Sequence, residues 1–174
     1  TLSLTSIMST TGARHLPQPS VRIRRDLLRR PREPVTTETL LEHYEHLFGV
    51  IGSPGYPTPP DEFRARIRRA VERGYHPAGF LRQLGAILAS GDRSALLGRI
   101  TCPTLVIHGK ADPLVPYQGG VDTAYRIRDA RLVLLDGFGH DFPAQLFERF
   151  ADMIAAHARA APPLPPRRDV SAAA

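Results

Sequence analysis

The fold class predicted by this 174-residue sequence is α/β, with parallel strands, flanking helices and an inserted helical segment. Three observations predict it. Residues 104–107 (T-L-V-I) and 132–135 (L-V-L-L) are short apolar runs of the kind that form strands buried on both faces of a parallel sheet. Residues 117–128 between them have the length and pattern of a crossover helix, the unit that joins parallel neighbours in a right-handed sense. Each run ends in a polar, glycine-containing loop, and the loops carry Asp112 and His140. In an open α/β sheet, functional groups gather at the carboxyl ends of the strands. An acid after one strand and a histidine after the next is how such a sheet builds an acid–base pair.

The remaining elements follow in chain order. Residues 2–8, L-S-L-T-S-I-M, alternate apolar and small polar side chains with β-branched members and predict a strand, followed by an S-T-T-G loop at 9–12. Residues 13–98 leave the sheet. Pro17, Pro19, Pro31 and Pro34 come first. A helix is then predicted over 37–48, with Leu40, Leu41, Tyr44, Leu47 and Phe48 at helical spacing, threonines as N-caps and Gly49 and Gly52 as stops. The Pro- and Gly-rich stretch 53–60 is a connector. Residues 61–73 predict a second helix, acidic in its first turn and arginine-rich later, as the helix dipole favours. A third helix is predicted over 77–90, through Phe80, Leu81, Leu84, Ile87 and Leu88, and a short one over 92–97. The last helix, 142–160, places Phe142, Leu146, Phe147, Phe150, Met153 and Ile154 on one face. Residues 162–174, Pro-rich and then Ala-rich, predict a disordered tail.

Composition narrows the function classes. A 42% hydrophobic content supports a real core in one domain. No run of eighteen apolar residues is present, so no membrane partner is expected. No basic-then-apolar leader opens the chain, which begins Thr1-Leu2-Ser3. A start without Met implies processing, an excised domain or a fragment. The single cysteine, Cys102, cannot form an internal disulfide and sits before a strand, which fits a structural role in a reducing cytoplasm. The net charge of +6 is carried almost wholly by arginine, with seven Arg between positions 14 and 32 against Asp26 alone. Such a cluster is more often a solvated or salt-bridged face than a binding site. No aromatic residues interleave it to stack bases, so no specific nucleic acid is expected. His43 and His46 lack the H-E-x-x-H spacing and a third ligand, so no metal is expected, and no cofactor motif is evident.

His108, Gly109, Asp112 and Pro116 spell H-G-x-x-D-x-x-x-P, and Gly137, Gly139 and His140 spell G-x-G-H, with the acid and the histidine 28 residues apart. In this order and on two strands, these patterns resemble the second half of an α/β-hydrolase, in which the triad runs Ser, then Asp or Glu, then His. The resemblance implies the C-terminal part of that fold. Residues 1–12 would be a core strand and loop, 13–98 a helical cap, 99–161 the C-terminal core and 162–174 the tail. It implies Asp112 and His140 as catalytic acid and base, acting on a small-molecule carboxylic ester by a Ser-His-Asp mechanism. Ser9, Leu114, Val115 and Phe138, beside the strand ends, are the candidate pocket residues. Asp136 and Asp141 are alternative acids, Asp141 being poorly placed to hold the imidazole from behind. His108 could line the pocket, though a structural role fits it better.

The G-x-S-x-G elbow that would present the nucleophile is absent. Ser53, in I-G-S-P-G, lacks the first glycine and a preceding strand, and Ser90 and Ser94 are in helical context. The oxyanion-hole loop is missing too. The opening T-S-I-M-S-T-T-G, the helical insertion and the G-F-G-H-D-F-P ending look most like bacterial carboxylesterases, including those similar to polyketide methylesterases. Dehalogenases and epoxide hydrolases, which use an Asp nucleophile on the same fold, stay open. So does a non-catalytic binding or interaction module. The chain alone is expected to be inactive, and to self-associate through the sheet edge left open beside residues 2–8.

Overall fold

The computed structural model describes residues 1–162; the tail expected beyond them lies outside the described residues. Three strands, β1 (Leu4–Ile7), β2 (Thr104–Gly109) and β3 (Arg131–Leu135), form one parallel sheet in the order β1-β2-β3. Leu4 faces Thr104 and Ile7 faces Ile107, while Leu105 faces Arg131 and Gly109 faces Leu135. The central strand is buried along its whole length, as its unbroken apolar run requires. β1 is shorter than 2–8 because Leu2 is exposed and Met8 turns out of the strand with φ 48°. Leu4 and Met8 donate their N–H groups to Pro103 and Ile107 on the β2 side, at 2.9 and 3.0 Å. By the alternation of a parallel ladder, the backbone groups of Thr5 and Ile7 point the other way. Among the described residues no strand pairs with that edge.

Five helices separate β1 from β2: α1 (Val21–Leu27), α2 (Thr37–Ile51), α3 (Pro60–Arg73), α4 (Pro77–Ser90) and α5 (Ser94–Leu97). The predicted helices are present, and α2 runs three residues further than its periodicity suggested. α1 was not expected among the prolines and arginines of its neighbourhood. Ser20 caps it by accepting the Ile23 N–H, Ile23 and Asp26 are its buried residues, and Asp26 faces His46 of α2 at 3.5 Å. Thr36 and Thr39 form a reciprocal capping box at the start of α2. α2 and α3 close a small core of Leu41, Phe63 and Ile67, with the Phe48 and Phe63 rings edge to face at 5.5 Å. α4 has no buried residue at all, and its Phe80, Leu81, Ile87 and Leu88 are exposed.

After β2, α6 (Gln118–Arg126) makes the crossover to β3. The last helix, α7 (Phe147–Arg159), starts later than the sequence suggests, because Pro143 and a 3₁₀ turn at Ala144–Leu146 precede it. The main core lies between the sheet and this helix: Leu105, Ile107, Leu135, Phe138, Leu146 and Phe150, with Ile7, Met8, Met153 and Ile154 against them. Each large apolar side chain buried there contributes about 1.5–3 kcal/mol. The imidazole of His157 reaches back from α7 to the Leu4 carbonyl, 3.0 Å away. Among the described residues no helix is long and apolar enough to cross a membrane.

Candidate active site

The loops after β2 and β3 are tied to each other before any side chain is considered. Lys110 N–H donates to Leu135 O at 2.9 Å and Ala111 N–H to Phe138 O at 3.1 Å. A Cβ on Gly109 would strike the Phe138 carbonyl, so only glycine lets the two loops approach this closely. The result places Asp112 beside His140. One carboxylate oxygen, Oδ1, accepts the Leu114 and Val115 N–H groups at 2.9 and 2.8 Å. The other, Oδ2, lies 2.8 Å from His140 Nδ1. The Asp112 side chain is fully buried, whereas that of His140 is 27% exposed.

Burial pushes the Asp112 carboxyl up, but the nearby His108 imidazole, hydrogen bonds from His140 and the Val115 N–H, and the charge of His140 outweigh it and hold the carboxyl below its ordinary value. A carboxylate accepting at Nδ1 fixes the tautomer whose Nε2 carries the lone pair. Among the described residues, no hydrogen bond engages Nε2 of His140. An imidazole held from behind by a buried carboxylate, with its far nitrogen free, is an arrangement that can accept a proton from a hydroxyl or a water.

His108 is buried beneath this pair. Its Nε2 is 2.8 Å from Val115 O and 3.6 Å from Asp112 Oδ2, so its proton goes chiefly to the carbonyl. Its Nδ1 has no partner and abuts Gly120, where a Cβ would come within 2.5 Å of that nitrogen. His108 thus pins the acid loop from below and has no face toward solvent. The two alternative acids are engaged elsewhere: Asp136 pairs with Lys110 at 2.8 Å on the surface, and Asp141 accepts the Ser53 hydroxyl.

The remaining candidates scatter. Ser9 is exposed, and its hydroxyl is 2.6 Å from that of Ser6. Leu114 and Val115 are half-buried beside Asp112. Phe138, expected at the pocket, is instead turned into the core with no exposed surface, its ring 5.3 Å from that of Phe150. The contacts of residues 51–55 with the His140 loop were not foreseen: Ser53 and Asp141 are 88 positions apart, and no local pattern joins them.

Residues 90–146 match the family described as TAP-like protein. The chain is 34% identical over 149 residues to rhodomycin D methylesterase DnrP of Streptomyces peucetius, a match covering 84% of this chain and 49% of that protein. It is 34% identical over 150 residues to rhodomycin D methylesterase DauP of Streptomyces sp. (strain C5), with the same coverage of 84% and 49%. The chain spans about half the length of these curated relatives. Among solved structures, it resembles the meta-cleavage product hydrolase CumD of Pseudomonas fluorescens IP01, with a TM-score of 0.62 and 16% identity, over 89% of this chain and 54% of that one. The parallel sheet, its order and these matches define a hydrolase-type α/β fold. The chain has the α/β-hydrolase fold and corresponds to a C-terminal portion of it.

Proposed function

We propose that this chain supplies the acid and the general base of a carboxylic ester hydrolase. The observation that carries the reading is the 2.8 Å contact of His140 Nδ1 with a buried Asp112 whose other oxygen is already held by two backbone N–H groups. In such a site the histidine takes the proton of a serine nucleophile and returns it to the leaving alcohol, while the aspartate orients the ring and stabilises the imidazolium. The nucleophile and its oxyanion hole belong to the part of the fold that this chain does not span. Residues 13–98 are assigned as the cap and residues 1–12 and 99–161 as core. A cap excludes water from the reaction and shapes the pocket. The two methylesterase relatives make a methyl ester the first substrate class to test, with a reducing cytoplasm as its setting.

The test is hydrolysis of a short-chain aryl ester and a methyl ester by this chain, alone and joined to a nucleophile-bearing half of the fold. Turnover that appears only in the joined protein supports the proposal, and its absence in a folded joined protein rejects it.

A further inference from the structure

The loop carrying His140 is gripped along its length by the segment that ends α2. Gly55 N–H donates to Gly137 O at 2.9 Å, and His140 N–H donates to Ile51 O at 2.7 Å. Between these, the Ser53 hydroxyl does two things at once. It accepts the N–H of Gly139, the residue before the imidazole, at 2.9 Å, and it donates to Asp141 Oδ1, on the residue after it. The approach is close enough to exclude side chains: a Cβ on Gly139 would strike the Gly52 carbonyl, and one on Gly55 would lie 2.8 Å from Gly137 Cα. Ser53 is buried, so truncating its hydroxyl would leave the Gly139 N–H without a partner.

We infer that Ser53 and Asp141 are positioning residues for His140: the hydroxyl bridge from Gly139 N–H across Ser53 to the Asp141 carboxylate holds the backbone on both sides of the imidazole, so that Nδ1 stays on Asp112. The inference rests on the reading of Asp112 and His140 as an acid–base pair. It also gives Ser53 a function other than the one a serine in a hydrolase first suggests, since its proton is committed to Asp141. Because the bridge starts from residues 51–55, the helical insertion and the histidine loop form one mechanical unit. Misplacement of a reacting group by about 1 Å costs on the order of a hundredfold in rate, which is the scale on which such a bridge matters.

The test reads the imidazole directly in this chain, by nitrogen-15 and proton NMR of the histidine rings and by solvent exchange of their N–H protons. His108 Nε2–H, bonded to Val115 O, is the internal reference. In Ser53→Ala the exchange of His140 Nδ1–H should rise about tenfold, the scale of one lost hydrogen bond, with His108 Nε2–H within about twofold of wild type. Ser53→Thr, which keeps a hydroxyl, should restore slow exchange. Asp141→Ala tests the bridge from its other, half-buried end, should Ser53→Ala not fold, and should give the same selective rise. An unchanged His140 signal in these variants overturns the inference. So does a rise shared equally by His108, which would show general loosening. A wild-type chain without a protected His140 Nδ1–H overturns this inference and the acid–base reading together, whereas a protected signal indifferent to the variants overturns this inference alone.

Discussion

The stretch from β2 to the start of α7 and the helix α4 are both apolar in sequence, yet the fold treats them in opposite ways. In the first, β2 is buried throughout, its loop is bonded to the loop after β3, and Asp112 has both oxygens engaged. In the second, fourteen residues form a regular helix with no buried residue, and Leu88 is 74% exposed. β2, α6 and β3 follow one another in the chain, so short connections bring their apolar faces together. The apolar side chains of α4 meet no such partner among the described residues. An apolar pattern specifies that a face is to be covered; it does not specify that the covering surface lies within the same 174 residues.

The largest effect is expected at the tightly bonded end of this contrast. In a protein carrying this chain and the nucleophile half, His140→Ala should reduce ester turnover by about 10⁴-fold or more, and Asp112→Asn should be severely impaired as well. Initial rates on an aryl ester measure both, and near-normal turnover by a folded His140→Ala variant would remove His140 as the base. Next in size is the core. Leu105→Ala, at a fully buried position, should cost about 2–5 kcal/mol, while Leu88→Ala should stay within about 0.5 kcal/mol. Urea denaturation of the two variants breaks the comparison if their losses are equal.

A smaller effect concerns acid. The folded Asp112 carboxyl lies below its ordinary value of 3.8. Its contribution to stability is therefore fully present above that value and is lost as pH falls through the lower, folded one. Asp112→Asn should remove this part of the acid limb in urea melts taken below about pH 5; an unchanged limb would show that the carboxylate is not held this way. The smallest change in folding, but a visible one in association, is expected for Leu81→Gln with Leu88→Gln on α4. The chain alone should self-associate through the α4 surface and the β1 edge that have no partner among the described residues. Sedimentation should show the double variant shifted toward monomer with little change in its unfolding midpoint. A wild-type chain that stays monomeric on concentration would contradict the proposal.

What the sequence made legible was whatever had a short-range signature. The apolar runs gave β2 and β3 to within a residue or two, threonines were available to cap α2, and α3 begins at Pro60, one residue before its predicted start at 61. Asp112 and His140 could be paired because each stands in a recognisable loop after a strand. The rest depended on contacts between distant residues. Helix α1 is held by Ile23 and by Asp26 facing His46, none of which shows in a stretch read as prolines and arginines. Phe138 was a candidate pocket residue beside the strand end, but it follows a turn at Gly137, with φ 68°, and its ring lies in the core. The Ser53 bridge joins two segments whose sequences contain no reference to each other.

The register of β1 on β2 has a consequence for how the chain assembles. Leu4 pairs with Thr104 and Ile7 with Ile107, so the ladder closes a loop of about 100 residues, whereas β2, α6 and β3 are contiguous. Loop-closure entropy makes distant pairings late. Pulse-labelled hydrogen exchange during refolding should therefore protect the β2 and β3 amides before those of Leu4–Ile7; simultaneous protection would count against this order. The same entropy grows only by about 0.6 kcal/mol for each doubling of a flexible loop. The interval between β1 and β2 is thus a place where evolution can lengthen, shorten or rebuild helices at little thermodynamic cost, provided that residues 51–55 keep their hold on the His140 loop.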